Sequence, residues 1–225
     1  MNDFLEKSSR CFGFAYGLCR TASVVGELDR CGDAFARSVL SDAEFERYAA
    51  LRLPKQPVER LAGRIAAKQA IARRVDVQDD DCLKGWSVLN DEARAPYLSE
   101  FPQWTISISH SGDFAAAVLS ERPIGIDLEK ICGHPPALAA FFCNEKEQAL
   151  LAELSGDPLE WNRLLTRFWT RKESAAKFYR VGGKLSFRNI DAAQDDLPPS
   201  DGWRGLRWLS VERDGYSLSL AVVND

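Results

Sequence analysis

The sequence is poor in side chains that hold zinc. It has two histidines, His110 and His134, and its six cysteines form no C-x-x-C pair, so no zinc site is expected. The cysteines read as reduced, mostly buried thiols. No run approaches about 18 uninterrupted apolar residues, so no membrane span is expected. The opening MNDFLEKSSR carries acids and no apolar stretch, so it does not read as a secretory leader, and the expected location is the cytoplasm. Positive charge is not in excess either. The formal net charge is −4, which argues against nucleic acid as a main partner.

What is present is ordinary in bulk and uneven in detail. The 225 residues, 45% hydrophobic and 28% charged, suffice for one large domain or two small lobes with a sizeable core. Between Arg47 and Arg74 stand eight Lys or Arg (Arg47, Arg52, Lys55, Arg60, Arg64, Lys68, Arg73, Arg74) against one acid, Glu59. A basic segment in an acidic chain points to a small anionic ligand rather than a polyanion.

Periodicity gives the elements. FGFAYGL (12–18) alternates as a strand does. Ser41 to Glu44 is a capping box opening a short helix. Pro57 opens an amphipathic helix over 57–74, whose polar face carries Arg60, Arg64 and Lys68. Segments 86–89, 104–109 and 114–120 read as strands. A second set follows: a strand IGIDLE, a helix over 145–154 capped by Asn144, and a longer helix opened by Asp157 and Pro158 and ended by Gly182-Gly183. Strands are predicted at 185–190, 206–212 and 216–223, with a loop at 197–202. This is an α+β chain in two lobes, 1–121 and 122–225, with no convincing internal sequence repeat.

Three groups of residues carry candidate chemistry. Asp127 and Glu129 share one face of a strand. Two carboxylates that close want a shared cation, and magnesium prefers such oxygen ligands; a solvated edge-strand face is the alternative. On the long helix, Trp169, Glu173 and Lys177 recur at steps of four. They aim an acid and an ammonium at one ligand, or Glu173 and Lys177 form an ordinary surface pair. In TISISHSGDF (105–114), Ser107 and Ser109 share a strand face, and His110, Ser111 and Gly112 form a turn with donors suited to phosphate. No acid partner makes His110 part of a triad.

Taken together, SISHSG, then GIDLE, then FWTRKESAAK resemble the 4′-phosphopantetheinyl transferases, in particular the two-lobed monomeric type that activates surfactin synthetase. ERLAGRIAAKQAI (59–71) and NDEARAPYL (90–98) resemble earlier motifs of that family. The resemblance implies two similar α/β lobes packed as a pseudo-dimer with the active site at their interface. The lobe 1–121 would take the nucleotide end of coenzyme A, and 122–225 the metal and catalytic residues. It implies transfer of the phosphopantetheine arm to a serine of an apo acyl or peptidyl carrier protein, with release of 3′,5′-ADP. Asp127, Glu129 and Glu173 would bind Mg2+, Glu173 would also act as base, and Lys177 would hold the reacting phosphate. Ser109 and His110 would contact the nucleotide phosphates, and Arg60 and Arg64 the adenosine end. The family's Gly-Lys-Pro or Gly-Arg-Pro is Ala93-Arg94-Ala95-Pro96 here, with Arg94 displaced by one position. A non-catalytic coenzyme A or carrier-binding protein and a magnesium-dependent phosphohydrolase are the competing readings. The segment KICGHPPALAAFFC reads either as a loop with a core helix or as a flap that receives a carrier helix.

Overall fold

The computed structural model describes residues 1–51, 56–77, 80–181, 185–200 and 204–224. Apart from Met1, the chain divides into two compact units, Asn2–Arg122 and Pro123–Asp225.

The first unit runs α1 (Asn2–Phe12), β1 (Ala15–Arg20), α2 (Thr21–Cys31), α3 (Asp33–Val39), α4 (Asp42–Ala49), α5 (Gln56–Val75), a 3-10 segment (Asp80–Gly85), β2 (Val88–Asn90), β3 (Pro96–Leu98), β4 (Thr105–Ser111) and β5 (Phe114–Ser120). Its sheet has the order β1-β5-β4, all antiparallel, and β2-β3 is a separate hairpin. Helix α5 lies across β1 and β5. Its buried side is made of small residues, Ala62, Ala66, Ala67 and Ala70, flanked by Leu61 and Ile71. Small residues bring a helix close. A Cβ on Gly17 would stand 1.9 Å from the Ala66 carbonyl oxygen, so only glycine fits there.

The second unit runs β6 (Ile124–Lys130), α6 (Ala137–Phe142), α7 (Glu145–Glu153), α8 (Pro158–Tyr179), a 3-10 turn (Phe187–Asn189), β7 (Asp196–Leu197), β8 (Leu206–Arg213) and β9 (Tyr216–Val223). Its sheet has the order β6-β9-β8-β7, again antiparallel. Helix α8 covers β6 and β9. Gly125 repeats the close approach: a Cβ there would lie 1.9 Å from the Ser174 carbonyl oxygen.

One device occurs in both units. In the first, Ser41 and Glu44 form the capping box of α4. Glu44 is buried and ion-pairs with Lys68 of α5 at 2.7 Å, with Lys68 fully buried. Lys68 also donates to the carbonyls of Val39 and Leu83, and Glu44 accepts from the Val88 amide. In the second, Asn144 and Glu147 cap α7. Glu147 pairs with Lys172 of α8 at 2.6 Å, both fully buried. Lys172 donates to the carbonyls of Phe142, Phe187 and Ile190, and Glu147 accepts from the Ala192 amide. The spacings agree. Lysine to following carbonyl is 15 residues in each, lysine to preceding carbonyl 29 and 30, glutamate to amide 44 and 45. The sequence shows no repeat, yet the two units share this scaffold of hydrogen bonds.

Several expectations are corrected. Lys68 is not on the polar face of α5; Glu44 and two carbonyls hold it inside. Segment 185–190 is not a strand where 187–189 turn in a 3-10 helix, because Phe187 and Ile190 aim their carbonyls at Lys172. His110 and Ser111 end β4, and the turn is Gly112-Asp113, with Ser111 opposite Phe114. The strand at 12–18 starts later, at Ala15. Only Cys19 and Cys143 of the described cysteines are buried; Cys11 and Cys132 are exposed. The Gly182-Gly183 stop lies outside the described residues, as does part of the 197–202 loop. No helix among the described residues is long and apolar enough to cross a membrane.

Burying a paired ion is tolerated; burying half of one is not. Lys172→Met leaves Glu147 charged and unmatched in the core and should cost about 3–5 kcal/mol of stability. Chemical denaturation followed by tryptophan fluorescence measures it, and a loss below about 1 kcal/mol would contradict the assignment.

Candidate active site

The acidic site is built by β6 and α8. Gly125, Asp127 and Glu129 alternate on one face of β6, and the Gly125 contact shows that this face looks toward α8. Ile126 and Leu128, on the other face, are fully buried. Asp127 is buried as well. Lys177 of α8 donates to Asp127 Oδ1 at 2.6 Å and to the Ile126 carbonyl at 3.1 Å, while Asp127 Oδ2 is buried and makes no hydrogen bond. Lys177 is thus the counter-ion of Asp127 and not half of a simple surface pair. Glu129, next but one along the strand, is half-buried.

Glu173 completes the group. Burial pushes its carboxyl up from the ordinary 4.5, Asp127 pushes it further the same way, and Lys177 pulls it down. Two carboxyls and one ammonium therefore share one electrostatic environment. Trp169 does not join them. It packs edge-on against Phe142 and Phe187, so the helix stripe splits into a core wedge and a charged end.

A polar seam fixes α8 over the sheet beside this site. Asp127 and Glu129 are paired across the ladder with Ser219 and Ser217. Thr170 Oγ1 lies 2.8 Å from Ser219 Oγ and 3.3 Å from Ser217 Oγ, and Ser219 Oγ is 3.0 Å from Ser210 Oγ. Arg171 Nε donates to Ser210, while its other nitrogens reach Asp195 and the carbonyls of Ala192 and Gln194. Hydroxyl chains of this kind specify one register of helix on sheet.

The donor set is all carboxylate oxygen, which suits Mg2+ and not zinc. Among the described residues, no three His, Cys, Asp or Glu side chains already converge as a metal cage. The acids fit the ion by chemistry and by shared charge, with the Lys177 ammonium standing on Asp127.

The first unit holds a basic cavity of about 360 Å³. Arg47, Arg60, Arg64 and Arg94 line it, with Tyr48 and Asn90. Arg64 donates to Asn90 Oδ1 at 2.8 Å and lies 3.4 Å from Glu44. Burial, with the nearby Arg60 and Arg47, pulls it down to about 10 against the opposing pull of Glu44. Arg64 is therefore built into the wall, and the exposed Arg47, Arg60 and Arg94 supply the outward charge. Guanidinium groups gathered so closely favour a phosphate-bearing guest. Arg47 belongs to the basic segment but was not singled out for the site; its place one turn after Glu44 on the capped helix α4 was the available signal.

The structure explains the displaced arginine. Arg94 has φ +65°, the left-handed region that favours glycine. The Asn90 amide donates to its carbonyl, and Asp91 Oδ1 accepts from the Ala95 amide. Arg94 occupies a glycine-type turn position yet lines the cavity. Ser109 and His110 are not among the lining residues. As neighbours on β4 they face opposite sides, Ser109 buried and His110 exposed.

The chain is similar to known proteins. The model of the 4′-phosphopantetheinyl transferase superfamily matches residues 123–210. A holo-[acyl-carrier-protein] synthase of Streptococcus thermophilus is 34% identical over 116 residues, spanning 49% of this chain and 96% of that protein. That of Onion yellows phytoplasma is 32% identical over 98 residues, 39% of this chain and 77% of that protein. The crystal structure of a holo-(acyl-carrier-protein) synthase from Bacillus anthracis in complex with CoA (3′,5′-ADP) is 25% identical, covers 47% of this chain and 91% of that one, and has a TM-score of 0.41. The chain belongs to the 4′-phosphopantetheinyl transferase superfamily. Its relatives align with about half of it or less.

Two outcomes are expected. Arg94→Gly removes a left-handed side chain and should gain about 1 kcal/mol of stability. The same change should shrink the thermal shift produced by inorganic pyrophosphate; an unchanged shift would remove Arg94 from the anion site. Glu173 gives a pH signature. A carboxyl raised on folding withdraws stability as pH climbs through 4.5 toward its folded value. Metal-free Glu173→Gln should therefore melt higher than the parent at neutral pH and match it below about pH 4. A lower melting point at neutral pH would contradict the burial of a charged Glu173.

Proposed function

We propose that this protein transfers the 4′-phosphopantetheine arm of coenzyme A to a serine hydroxyl of an apo acyl or peptidyl carrier protein, releasing 3′,5′-ADP. The observation that carries the reading is the meeting of Asp127, Glu173 and Lys177 inside the segment matched by the superfamily. It works as a cytoplasmic monomer of the two-lobed type that activates surfactin synthetase. In this reading the two units form a pseudo-dimer within one chain; the repeated lysine–glutamate clamp supports it.

The first unit, to about residue 121, takes the nucleotide end of the coenzyme. Arg60, Arg94 and Arg47 bind its phosphates, Arg64 shapes the wall, and His110 and Ser109 serve the same end. The second unit performs the chemistry. Asp127, Glu129 and Glu173 hold Mg2+, which when bound offsets charge on the pyrophosphate. Lys177 holds the reacting phosphate. Glu173, raised by burial and by Asp127, accepts the proton of the carrier serine. The serine oxygen bonds to the β-phosphorus as the bond from phosphorus to the ADP oxygen breaks. Phosphoryl transfer of this kind depends on positioning and electrostatics, with no covalent enzyme intermediate. The carrier is received beside α6, where Phe141 is 76% exposed while Phe142 is buried.

Asp127→Asn and Glu129→Gln should each lower turnover on the order of 10²–10³-fold, and excess chelator should stop the parent. Both variants should remain folded by circular dichroism. An active Asp127→Asn protein, or full activity in chelator, would end the metal assignment.

A further inference from the structure

We infer that Lys177 antagonises metal binding at Asp127 until a phosphate draws its charge away, so that cation and phosphate enter with positive coupling. This rests on the metal reading of Asp127, Glu129 and Glu173. It concerns Lys177, whose assigned role so far is to hold phosphate.

Asp127 has 4% of its side chain exposed and Lys177 29%. A carboxylate so enclosed needs a cation, because desolvation without one is costly. Lys177 supplies it at 2.6 Å. The ammonium has three N–H groups; one goes to Asp127 and one to the Ile126 carbonyl. The long stem is only part-buried, so the ammonium can swing without unfolding the helix.

A divalent ion taking Asp127 as ligand meets that ammonium. Even with bulk-water screening, a dication and an ammonium about 5 Å apart repel by on the order of tenfold in affinity. Glu173 softens this but carries only one charge. A phosphate oxygen near Lys177 attracts both cations, so it relieves the repulsion. Linkage then requires that phosphate binding tighten metal binding and the reverse by the same factor. A lysine with a purely structural role has no such coupling.

The experiment is titration calorimetry of Mg2+ into the full chain, with and without saturating coenzyme A, for the parent and for Lys177→Gln. Glutamine keeps a donor for Ile126 and Asp127 and removes the charge; Lys177→Met serves as second variant, and circular dichroism checks folding of each. Without coenzyme, Lys177→Gln should bind Mg2+ about tenfold more tightly than the parent. Coenzyme should tighten Mg2+ in the parent, and this gain should shrink in the variant. Equal or weaker Mg2+ binding by folded Lys177→Gln and Lys177→Met overturns the inference while leaving the transfer reading intact. If neither parent nor variant binds Mg2+ even with coenzyme present, the metal site and the inference fall together.

Discussion

The structure depends on two buried ammonium groups. A long helix laid on a sheet can slide and rotate at little cost if only apolar side chains hold it. Lys172 prevents this. Its ammonium must find oxygen in a dry interior, and it finds Glu147 and three carbonyls, one at the end of α6 and two in the turn at 187–190. The helix is thereby fixed along its length and about its axis. Glu173 and Lys177 follow on the same helix, so their aim is inherited from Lys172. The cap of α7 is part of the same device, since Glu147 serves both the cap and the lysine.

The same scaffold in the first unit carries a different load. Counting from the buried lysine, Gln69 stands where Glu173 does, and Arg73 where Lys177 does. Gln69 accepts from the Leu18 amide and Arg73 donates to the Tyr16 carbonyl, as Lys177 donates to Ile126. The residue after Tyr16 is Gly17, in the place of Asp127. A Cβ on Gly17 would lie 2.9 Å from the Cβ of Gln69 and closer still to Ala66. No carboxylate fits between helix and strand there. The first unit leaves no room for an acid at that place and holds a cavity lined by arginines; the second carries the acids.

Much of this was legible in sequence, and the omissions have physical causes. Of the helices found, α4, α7 and α8 are capped in the first turn by Ser41, Asn144 and Asp157, while α5 was found from Pro57 and the apolar spacing that follows it. Helices α2, α3 and α6 begin at Arg20, Gly32 and Pro136, none of which caps with its side chain, and α2 and α3 were missed. Strand β5 was found because turns bound it on both sides, and β9 because the Asp214-Gly215 turn opens it. Segment 187–190 reads as extended by composition, but a buried ammonium bends it, and no local signal reports that. The face of Lys68 was misread for the same reason: periodicity places a lysine on the polar side, and only the partner Glu44, 24 residues earlier, reverses it. Strand alternation placed Asp127 and Glu129 on one face, and helix steps placed Glu173 and Lys177 on one stripe. They did not reveal that Lys177 stands on Asp127 or that Arg94 lies in a left-handed turn.

In the proposed reaction the acids and the lysine act on coenzyme A only for a carrier hydroxyl. Intact-mass analysis of apo carrier proteins, incubated with this protein, coenzyme A and Mg2+, tests it most directly. A carrier should gain one phosphopantetheine arm, 3′,5′-ADP should appear in equal amount, and coenzyme A should stay untouched when carrier is omitted. Consumption of coenzyme A without carrier, or no mass gain on any acyl or peptidyl carrier, would contradict it.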